Sequence, residues 1–246
     1  MSVTSRQGVD LYYEDLGNGP TLVMLHGFFG SSQDWHEYGY VSAFSGDFRI
    51  ITTDFRGHGK SGKPLEPEAY RVSEYAQDVR KVLQVCGVKE FHLIGFSNGA
   101  RVGFALSTMV DIKILSFVCI GRHPFAEDMS PIRDGVPQID IWAKEMDISI
   151  DHQKRLLAND KEALKAAAAL DRPEENIENM TMPTLVVAGQ RDEDYEKIVR
   201  TASLLPNAKL LTLEGLDHFE SLRKSNRVLP SMITFLHDHA GIPRER

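Results

Sequence analysis

The sequence predicts an α/β fold: a mostly parallel central sheet flanked by helices, with a small helical cap insertion. Short continuous apolar runs, which suit strands covered on both faces, alternate along the chain with stretches of helical periodicity. The one long break in this alternation, residues 122–182, contains no convincing strand. We therefore expect residues 1–121 and 183–246 to form the core and residues 122–182 to form the cap.

Seven segments have the composition of strands. The first is closed by the turn residues Gly17-Asn18-Gly19-Pro20, and the second, TLVML, is the kind of apolar run that a parallel sheet buries. The predicted strands are residues 9–14, 21–25, 49–53, 91–94, 114–120, 184–188 and 208–213.

Helical periodicity fills the intervals between these strands. Apolar residues recur every three or four positions over residues 72–86, with Ser73 as the predicted N-cap and Gly87 as the stop. In the cap, residues 151–158 and 161–170 favour helices, the second by the propensity of KEALKAAAAL. Three further core helices are predicted: over residues 98–109, directly after Asp194, and ending near Ala240 with Pro230 in the first turn or at a break.

Composition excludes several classes of function. The 246 residues include 28 Lys and Arg against 35 Asp and Glu, and this acidic balance argues against nucleic-acid binding. No apolar run approaches the roughly 20 residues that cross a bilayer, and the first residues lack the apolar segment of a secretory signal. We expect a cytoplasmic protein of undetermined oligomeric state, with Cys86 and Cys119 as buried small apolar residues.

The strongest motif is Gly95-Phe96-Ser97-Asn98-Gly99, which lies between a predicted strand and a predicted helix. This context is typical of a nucleophile elbow, in which a sharp turn exposes the serine at the sheet edge. The amide of Asn98 and the positive end of the helix would then face a developing oxyanion. An ordinary glycine-rich turn is the alternative interpretation.

A second glycine-rich loop, His26-Gly27-Phe28-Phe29-Gly30, follows the strand TLVML. Such a loop at a strand end can turn an amide toward the elbow, and the amide of Phe28 is the predicted second member of an oxyanion hole. We interpret His26 as a structural hydrogen-bonding residue that holds the loop, rather than as a base.

A serine hydroxyl needs a general base, and the base needs an orienting acid. Among nine histidines, His218 lies in a loop after the last predicted strand and is the predicted base. His123 follows the strand at 114–120, and we expect it to line the same cleft. Asp192, with Asp194 as second choice, is the predicted acid, and a solvated acidic turn is the alternative.

Ser97, Asp192 and His218 occur in the chain order typical of the α/β-hydrolase fold, and the chain resembles that family. The segments HGFFG, DFRGHGKS, GFSNG, GQRD and LDHF carry the resemblance in order over nearly the whole chain. The sequence is similar to small carboxylesterases, lactonases, cofactor-free haloperoxidases and C–C bond hydrolases. Dehalogenases and epoxide hydrolases of this fold need an Asp nucleophile, so a serine points to acyl transfer instead.

One residue departs from the family pattern. Asp217 precedes the predicted base where many relatives carry glycine or another small residue. A carboxylate beside the imidazole would either raise the pKa of His218 or point to solvent.

Two other motifs are interpreted as structural. The segment Gly57-His58-Gly59-Lys60-Ser61-Gly62 fits a dinucleotide-binding pattern, but Pro64 and Pro67 prevent the helix which that site requires. His237 and His239 stand two apart on a predicted helix and therefore point to different faces. We predict no cofactor and no metal.

The sequence thus predicts a serine hydrolase that cleaves a small ester or lactone through an acyl-enzyme on Ser97. A C–C bond hydrolase or a cofactor-free haloperoxidase or perhydrolase with the same triad is the alternative, and a ligand receptor on this fold is an alternative of another class. Short acyl chains are expected because the cap is short. The residues predicted to line the substrate pocket are Phe96, His123, Phe125, Trp142 and Met146, of which the three last could instead pack within the cap.

Overall fold

A computed structural model describes residues 2–243 as one eight-stranded sheet between two layers of helices. The strands are β1 Ser2–Arg6, β2 Val9–Leu16, β3 Thr21–Leu25, β4 Arg49–Thr53, β5 Glu90–Phe96, β6 Lys113–Ile120, β7 Thr184–Gly189 and β8 Ala208–Leu213. Their order is β1-β2-β4-β3-β5-β6-β7-β8. The pairs β1–β2 and β2–β4 are antiparallel, and all other pairs are parallel.

The helices are α1 Gln33–Glu37, α2 Tyr40–Phe44, α3 Val72–Val85, α4 Asn98–Leu106, α5 Ser130–Gly135, α6 Ile139–Glu145, α7 Ile150–Leu157, α8 Lys161–Ala167, α9 Tyr195–Leu204, α10 Glu220–Arg223 and α11 Ser225–Ala240. Helices α3, α4 and α9 pack on one face of the sheet, and α2, α10 and α11 pack on the other. No described helix is long and apolar enough to span a membrane.

The predicted fold class is confirmed, and all seven predicted strands are present. The additional strand β1 was missed because its sequence, SVTSR, lies at the sheet edge, where its side chains are exposed or only partly buried. An edge strand of this kind carries no apolar run that a sequence pattern could detect.

Helix α3 begins two residues earlier than the predicted N-cap implies. Arg71, not Ser73, is the N-cap: its carbonyl accepts the amides of Glu74 and Tyr75, which places Ser73 inside the first turn. The predicted stop at Gly87 is correct, because Gly87 adopts a φ of 70° that favours glycine. The Gly87 amide donates to the Gln84 carbonyl, and this hydrogen bond is part of a Schellman motif.

Two other helix boundaries also differ from the prediction. Helix α4 ends at Leu106 rather than near residue 109, since the hydroxyls of Ser107 and Thr108 donate to carbonyls three residues back. Pro230 is the sixth residue of α11, neither in its first turn nor at a break. The proline is tolerated because it and Asn226, whose carbonyl it leaves without an intrahelical donor, are exposed.

The segment between β6 and β7 contains α5 to α8 and no strand. Only α7 and α8 were predicted in this cap segment (residues 122–182), because Pro131 and Pro137 interrupt the pattern over α5 and the turn after it. The side chains of Val136, Ile139 and Leu164 belong to the same apolar cluster as α3. The cap segment therefore packs onto the core through these side chains.

A buried arginine of α4 holds both ends of the cap segment. Arg101 is 1% exposed, and its guanidinium donates to the carbonyls of Phe125 (2.8 Å) and Pro173 (3.0 Å). Burial lowers its pKa to about 10, so it stays charged at neutral pH. Beside it, Glu127 and Arg172 exchange both backbone hydrogen bonds, which joins the start of the cap segment to its end.

The two cysteines differ in burial. Cys119 lies fully buried in β6, as predicted, whereas Cys86 at the end of α3 is only half-buried. Burial raises the pKa of the Cys86 thiol to about 11 and that of Cys119 to about 12. Both thiols are therefore protonated at neutral pH and behave as packing groups.

Candidate active site

Ser97 lies in the sharp turn between β5 and α4, where the sequence predicted an elbow. It has a φ of 51° and a ψ of −115°, a strained conformation for any residue but glycine. The flanking glycines permit this turn: a Cβ on Gly99 would lie 2.0 Å from the Leu25 carbonyl oxygen, and one on Gly95 would lie 2.6 Å from the Ala100 Cα. Ser97 keeps this strained conformation because the neighbouring backbone leaves no room for a different turn.

His218 lies in the loop after β8 and reaches the elbow. Its Nε2 is 3.0 Å from the Ser97 Oγ, and its Nδ1 is 2.7 Å from the Asp192 Oδ2. Since an ionised carboxylate can only accept, Nδ1 carries the proton, and Nε2 is free to accept the serine proton. These three side chains therefore form one continuous hydrogen-bond chain.

The structure distinguishes the two candidate acids. Asp192 is 7% exposed and contacts His218, whereas the Asp194 carboxylate binds Lys197 Nζ at 2.7 Å and lies 3.2 Å from the His123 Nε2. His123 and Lys197 together hold the pKa of Asp194 below its usual range. Asp194 supports Asp192 through its backbone, because its amide donates to the Asp192 Oδ1 at 2.9 Å.

The imidazole of His218 is enclosed by packing on several sides. A Cβ on Gly121, which follows β6 with a φ of 62°, would lie 3.2 Å from His218 Cε1 and Nδ1. The ring centroids of Phe96 and Phe219 lie 5.0 Å and 5.3 Å from that of His218. This packing restricts the ring to orientations that keep both of its hydrogen bonds.

Two backbone amides near Ser97 have no acceptor. Gly27 brings its loop against the elbow, because a Cβ there would lie 3.3 Å from the Ser97 Cβ. Within residues 2–243, the amides of Phe28 and Asn98 donate to no oxygen, although Phe28 is 9% exposed and Asn98 is 7% exposed. Unpaired amides beside a nucleophile are the donors that an oxyanion hole requires.

His26 makes hydrogen bonds through both ring nitrogens, as expected of a histidine that holds its loop. Its Nε2 accepts the Phe55 amide at 3.0 Å, so its Nδ1 carries the proton and donates to the Gly27 carbonyl at 2.7 Å. Complete burial lowers its pKa and keeps the ring neutral. Both nitrogens are therefore committed to joining the loops after β3 and β4.

The Asp217 carboxylate makes a hydrogen bond within its own loop. Its Oδ1 accepts the amide of Glu220 at 2.7 Å, while the Glu220 Oε2 accepts the amide of Asp217 at 3.0 Å. This reciprocal pair has the hydrogen-bond pattern of a capping box, and it closes the turn through His218 and Phe219 that leads into the short helix α10. The carboxylate thus shapes the loop that presents the imidazole.

Three of the predicted pocket residues lie in the core or at its edge. Phe96 is 4% exposed and packs beneath His218. His123 is fully buried rather than open to the cleft; its ring stacks on Phe125 at 5.5 Å, and the Phe125 ring faces the Arg200 guanidinium at 4.8 Å. These contacts place His123 and Phe125 against the loop that carries Asp194 and against helix α9.

The other two predicted pocket residues belong to the cap segment. Met146 is half-buried directly after α6. Trp142 in α6 lies edge-on to Phe29, at a centroid distance of 6.1 Å. Phe29, which sequence analysis did not select, links the cap segment to the loop that bears the Phe28 amide. No sequence signal marks it, since its φ of 68° is visible only in the structure.

The two motifs interpreted as structural make hydrogen bonds and ion pairs within the fold. Residues 57–62 form a loop closed by a hydrogen bond from the Gly57 amide to the Gly62 carbonyl, and no helix starts there. His237 pairs with Asp47 at 3.3 Å, and His239 bonds the Phe235 carbonyl. Within residues 2–243, no group of three or more His, Cys, Asp and Glu side chains is placed to hold a metal ion.

The chain has sequence relatives among enzymes. A family model described as the alpha/beta hydrolase fold matches residues 20–177. A fluoroacetate dehalogenase from Burkholderia sp is 30% identical over 112 residues, which cover 44% of this chain and 36% of that protein. The chain therefore spans only about a third of the length of this relative.

Solved structures resemble the whole chain. The enol-lactonase from Burkholderia xenovorans LB400 superposes with a TM-score of 0.84 at 19% identity, covering 96% of this chain and 99% of that one. A carboxylesterase structure from Nitrososphaera gargenis has the same TM-score of 0.84 and 19% identity, covering 98% of this chain and 99% of that one. At such identities the likeness shows the fold. The match to the family model places this chain in the alpha/beta hydrolase fold family.

Proposed function

We propose that this protein is a serine hydrolase that cleaves a small ester or lactone through an acyl-enzyme on Ser97. One observation carries the proposal: the unbroken hydrogen-bond chain from Ser97 Oγ to His218 Nε2 (3.0 Å) and from His218 Nδ1 to Asp192 Oδ2 (2.7 Å). A nucleophile, a base and an orienting acid at these distances are the parts that acyl transfer needs.

The reaction follows from the positions of these groups. As Ser97 Oγ attacks the substrate carbonyl, its proton passes to His218 Nε2, and Asp192 stabilises the resulting imidazolium. The amides of Phe28 and Asn98 bind the oxyanion of the tetrahedral intermediate. His218 then protonates the leaving alkoxide, and the same histidine activates the water that releases the acid. In a lactone, the alcohol and the acid remain parts of one product.

The nucleophile argues against the chemistry of the dehalogenase relative. Dehalogenation in this fold proceeds through an ester formed on an aspartate, and this chain has Ser97 at the elbow. The likeness to an enol-lactonase and to a carboxylesterase supports an acyl substrate with an alkoxide or enolate leaving group. The substrate class is thus inferred from the nucleophile and the neighbours together.

The surroundings of the site favour a small, uncharged acyl group. Phe28 and Phe29 lie beside the elbow, and Trp142 closes on Phe29 from the cap segment. Each methylene that an apolar wall buries contributes about 0.8 kcal/mol until the space is full. Because the cap segment packs on the core through α8, we expect that space to suit short acyl chains.

A series of p-nitrophenyl esters from acetate to palmitate tests this proposal. We expect kcat/KM to peak at short chains and to fall steeply for long ones, and a panel of small lactones to be hydrolysed by the same site. Rates that climb through the long chains, or activation at a lipid–water interface, would contradict the small-substrate proposal.

The same assay separates the alternative functions. A receptor would release one equivalent of p-nitrophenol and stop, whereas a hydrolase continues until the ester is consumed. A C–C bond hydrolase would prefer vinylogous diketones to every ester in the panel. A perhydrolase would require peroxide as co-substrate for its best rate.

A further inference from the structure

Phe29 holds an unusual backbone conformation next to the candidate oxyanion hole. Its φ of 68° lies in the left-handed region, which a bulky side chain adopts only when its surroundings enforce it. Phe28, whose amide is the loop's candidate oxyanion donor, is its direct neighbour, and their rings meet edge to face at 4.7 Å. Relaxation of Phe29 toward an ordinary φ would turn the peptide between Phe28 and Phe29, and the resulting shift of Phe28 would displace its amide, which belongs to the preceding peptide.

A residue of the cap segment makes a hydrogen bond to the backbone of Phe29. Asn159 donates its Nδ2–H to the Phe29 carbonyl at 3.0 Å. Asn159 lies in the short link between α7 and α8, where its Nδ2 and its backbone amide also bond the Leu156 carbonyl, at 3.2 Å and 3.3 Å. Asp160, the next residue, caps α8. The side chain of Asn159 is thus fixed by the ends of two helices.

Ionic and polar contacts hold helix α7 on the core helix α1 and its C-cap. Arg155 forms ion pairs with Glu37 and with Asp34, the latter at 3.3 Å, and Asp34 is 5% exposed. His152 Nδ1 lies 2.8 Å from the Tyr38 hydroxyl. The position of Asn159 therefore depends on how α7 sits on the core.

There is space for Phe29 to move if Asn159 releases it. A cavity of about 200 Å³ lies beside the loop, with walls that include Phe29, Gly30, Leu156 and Asn159. An apolar ring in a close-packed interior would have no such freedom. The hydrogen bond from Asn159 to the Phe29 carbonyl therefore holds the loop in place beside this cavity.

We propose that Asn159 is a positioning residue for the oxyanion hole, which couples docking of the cap segment to acyl transfer. By holding the Phe29 carbonyl, it keeps the Phe28 amide directed at the oxyanion above Ser97. This proposal rests on the proposed serine-hydrolase function. It adds that the hole is complete only when the α7–α8 link is in place.

The expected kinetic effect depends on the step of the reaction in which the oxyanion hole binds most strongly. Its donors bind the oxyanion in the transition state more strongly than the ground-state carbonyl, so misplacing one lowers kcat and leaves KM nearly unchanged. Removing a donor outright costs about 10²–10³-fold in kcat. A donor that is displaced but present should cost less, and we expect a loss of about tenfold.

Two variants and a matched control test the proposal. Asn159→Asp keeps the shape of the side chain but cannot donate to a carbonyl, and Asn159→Ala removes it. Asn207→Ala is the control, because the Asn207 Nδ2 likewise donates to a backbone carbonyl, that of Thr181 at 2.7 Å, on the exposed surface. For each protein we would measure kcat and KM with p-nitrophenyl acetate.

A second measurement, the affinity for a trifluoromethyl ketone, tests the oxyanion hole directly. A trifluoromethyl ketone adds to Ser97 Oγ, the serine proton passes to His218, and the resulting hemiketal oxyanion occupies the hole. We expect both Asn159 variants to lose about tenfold in kcat and a similar factor in affinity for this ketone, while Asn207→Ala changes neither. Melting temperatures identify any variant that has lost its fold, and Asn159→Asp, being nearly isosteric, is the one expected to keep it.

The outcomes separate this proposal from the one on which it rests. Wild-type kcat and ketone affinity in Asn159→Asp, or a rise in KM alone, would overturn the positioning role and leave the hydrolase function standing. Absence of ester turnover and of ketone binding in the wild-type protein would overturn both.

Discussion

The core side of the site, formed by Ser97, Asp192 and His218, is fixed by backbone, whereas the cap side, formed by Phe29, Trp142 and Asn159, is fixed by side chains. On the core side, added Cβ atoms at the elbow glycines would collide with neighbouring backbone. On the cap side, one amide hydrogen bond and one edge-on ring contact reach the loop. The elbow that presents Ser97 therefore has little freedom to move, whereas the cap side depends on a few side-chain contacts that substitutions can change.

This difference explains why the fold says more about reaction type than about substrate. A serine, a histidine and an aspartate presented by strand ends can serve many acyl compounds. The contacts that join the cap segment to the loop after β3 are few, and a single substitution can alter them. Variants on each side should accordingly fail in different ways: in the chemical step on the core side, and by graded amounts on the cap side.

The largest effect is expected on the core side, from Ser97→Ala. This change removes the nucleophile, and turnover of p-nitrophenyl acetate should fall to background, a loss of at least about 10³-fold. The melting temperature should stay within a few degrees of wild type, because the Ser97 side chain is partly exposed. Substantial remaining turnover would assign the chemistry to another residue.

The second largest effect is expected from substitution of the acid, Asp192. Asp192→Asn should lower kcat by orders of magnitude, because the amide would stabilise the wrong imidazole tautomer. Asp194→Asn is the matched control: it changes the neighbouring carboxylate, which bonds Lys197, lies 3.2 Å from the His123 Nε2 and makes no hydrogen bond to His218. Equal losses in the two variants, or a greater loss for Asp194→Asn, would contradict the assignment of Asp192.

Gly99→Ala should show how strictly backbone fixes the core side. The new Cβ would lie 2.0 Å from the Leu25 carbonyl oxygen, so α4 must move away from β3. We expect a loss of stability of about 1–3 kcal/mol, with lower activity because the elbow moves too. Gly46→Ala provides the control, since no heavy atom lies within 4 Å of a Cβ there. Chemical denaturation of both variants measures the difference.

The smallest effect is expected on the cap side, from Arg155→Met. Loss of the guanidinium leaves Asp34 buried without its cation, and burial already raises the pKa of Asp34 to about 6. We expect a destabilisation of about 1 kcal/mol and a modest fall in kcat as α7 loosens.

The effect of Arg155→Met should also depend on pH. A carboxyl whose folded pKa is raised contributes stability that is lost as pH rises through that pKa, and removing Arg155 raises it further. The deficit should therefore be larger at pH 8 than at pH 5. Lys154→Met, which removes an exposed cation paired within α7, should be neutral at both, and a deficit independent of pH would contradict this role of Asp34.

The core-side residues could be selected from the sequence because the signals that mark them are local. The strand TLVML, the pentapeptide around Ser97 and the loop before His218 each carry their structure in a few consecutive residues. Asp192 and Asp194 follow the same turn, so the sequence pattern alone does not separate them. The hydrogen bond between His218 and Asp192, and the packing of Gly121 against both, do separate them.

The cap side could not be predicted in the same way. Phe29 is one of two adjacent phenylalanines, and nothing in the residue type announces a positive φ. Asn159 is 130 residues away from Phe29 in sequence, and an asparagine between two helices usually serves as a local cap. His123 was expected at the cleft and lies fully buried, because the chain after β6 turns inward against Asp194. Such contacts depend on tertiary packing.

The central claim is that Ser97 is acylated during turnover. Rapid mixing with p-nitrophenyl acetate, acid quenching and intact-mass analysis test it directly, with peptide mapping of the product. We predict an acetyl group on Ser97 that forms as fast as the first p-nitrophenol is released, decays as acid forms, and is absent from Ser97→Ala. Sustained turnover with no adduct on Ser97, or with the adduct on another residue, would contradict the account.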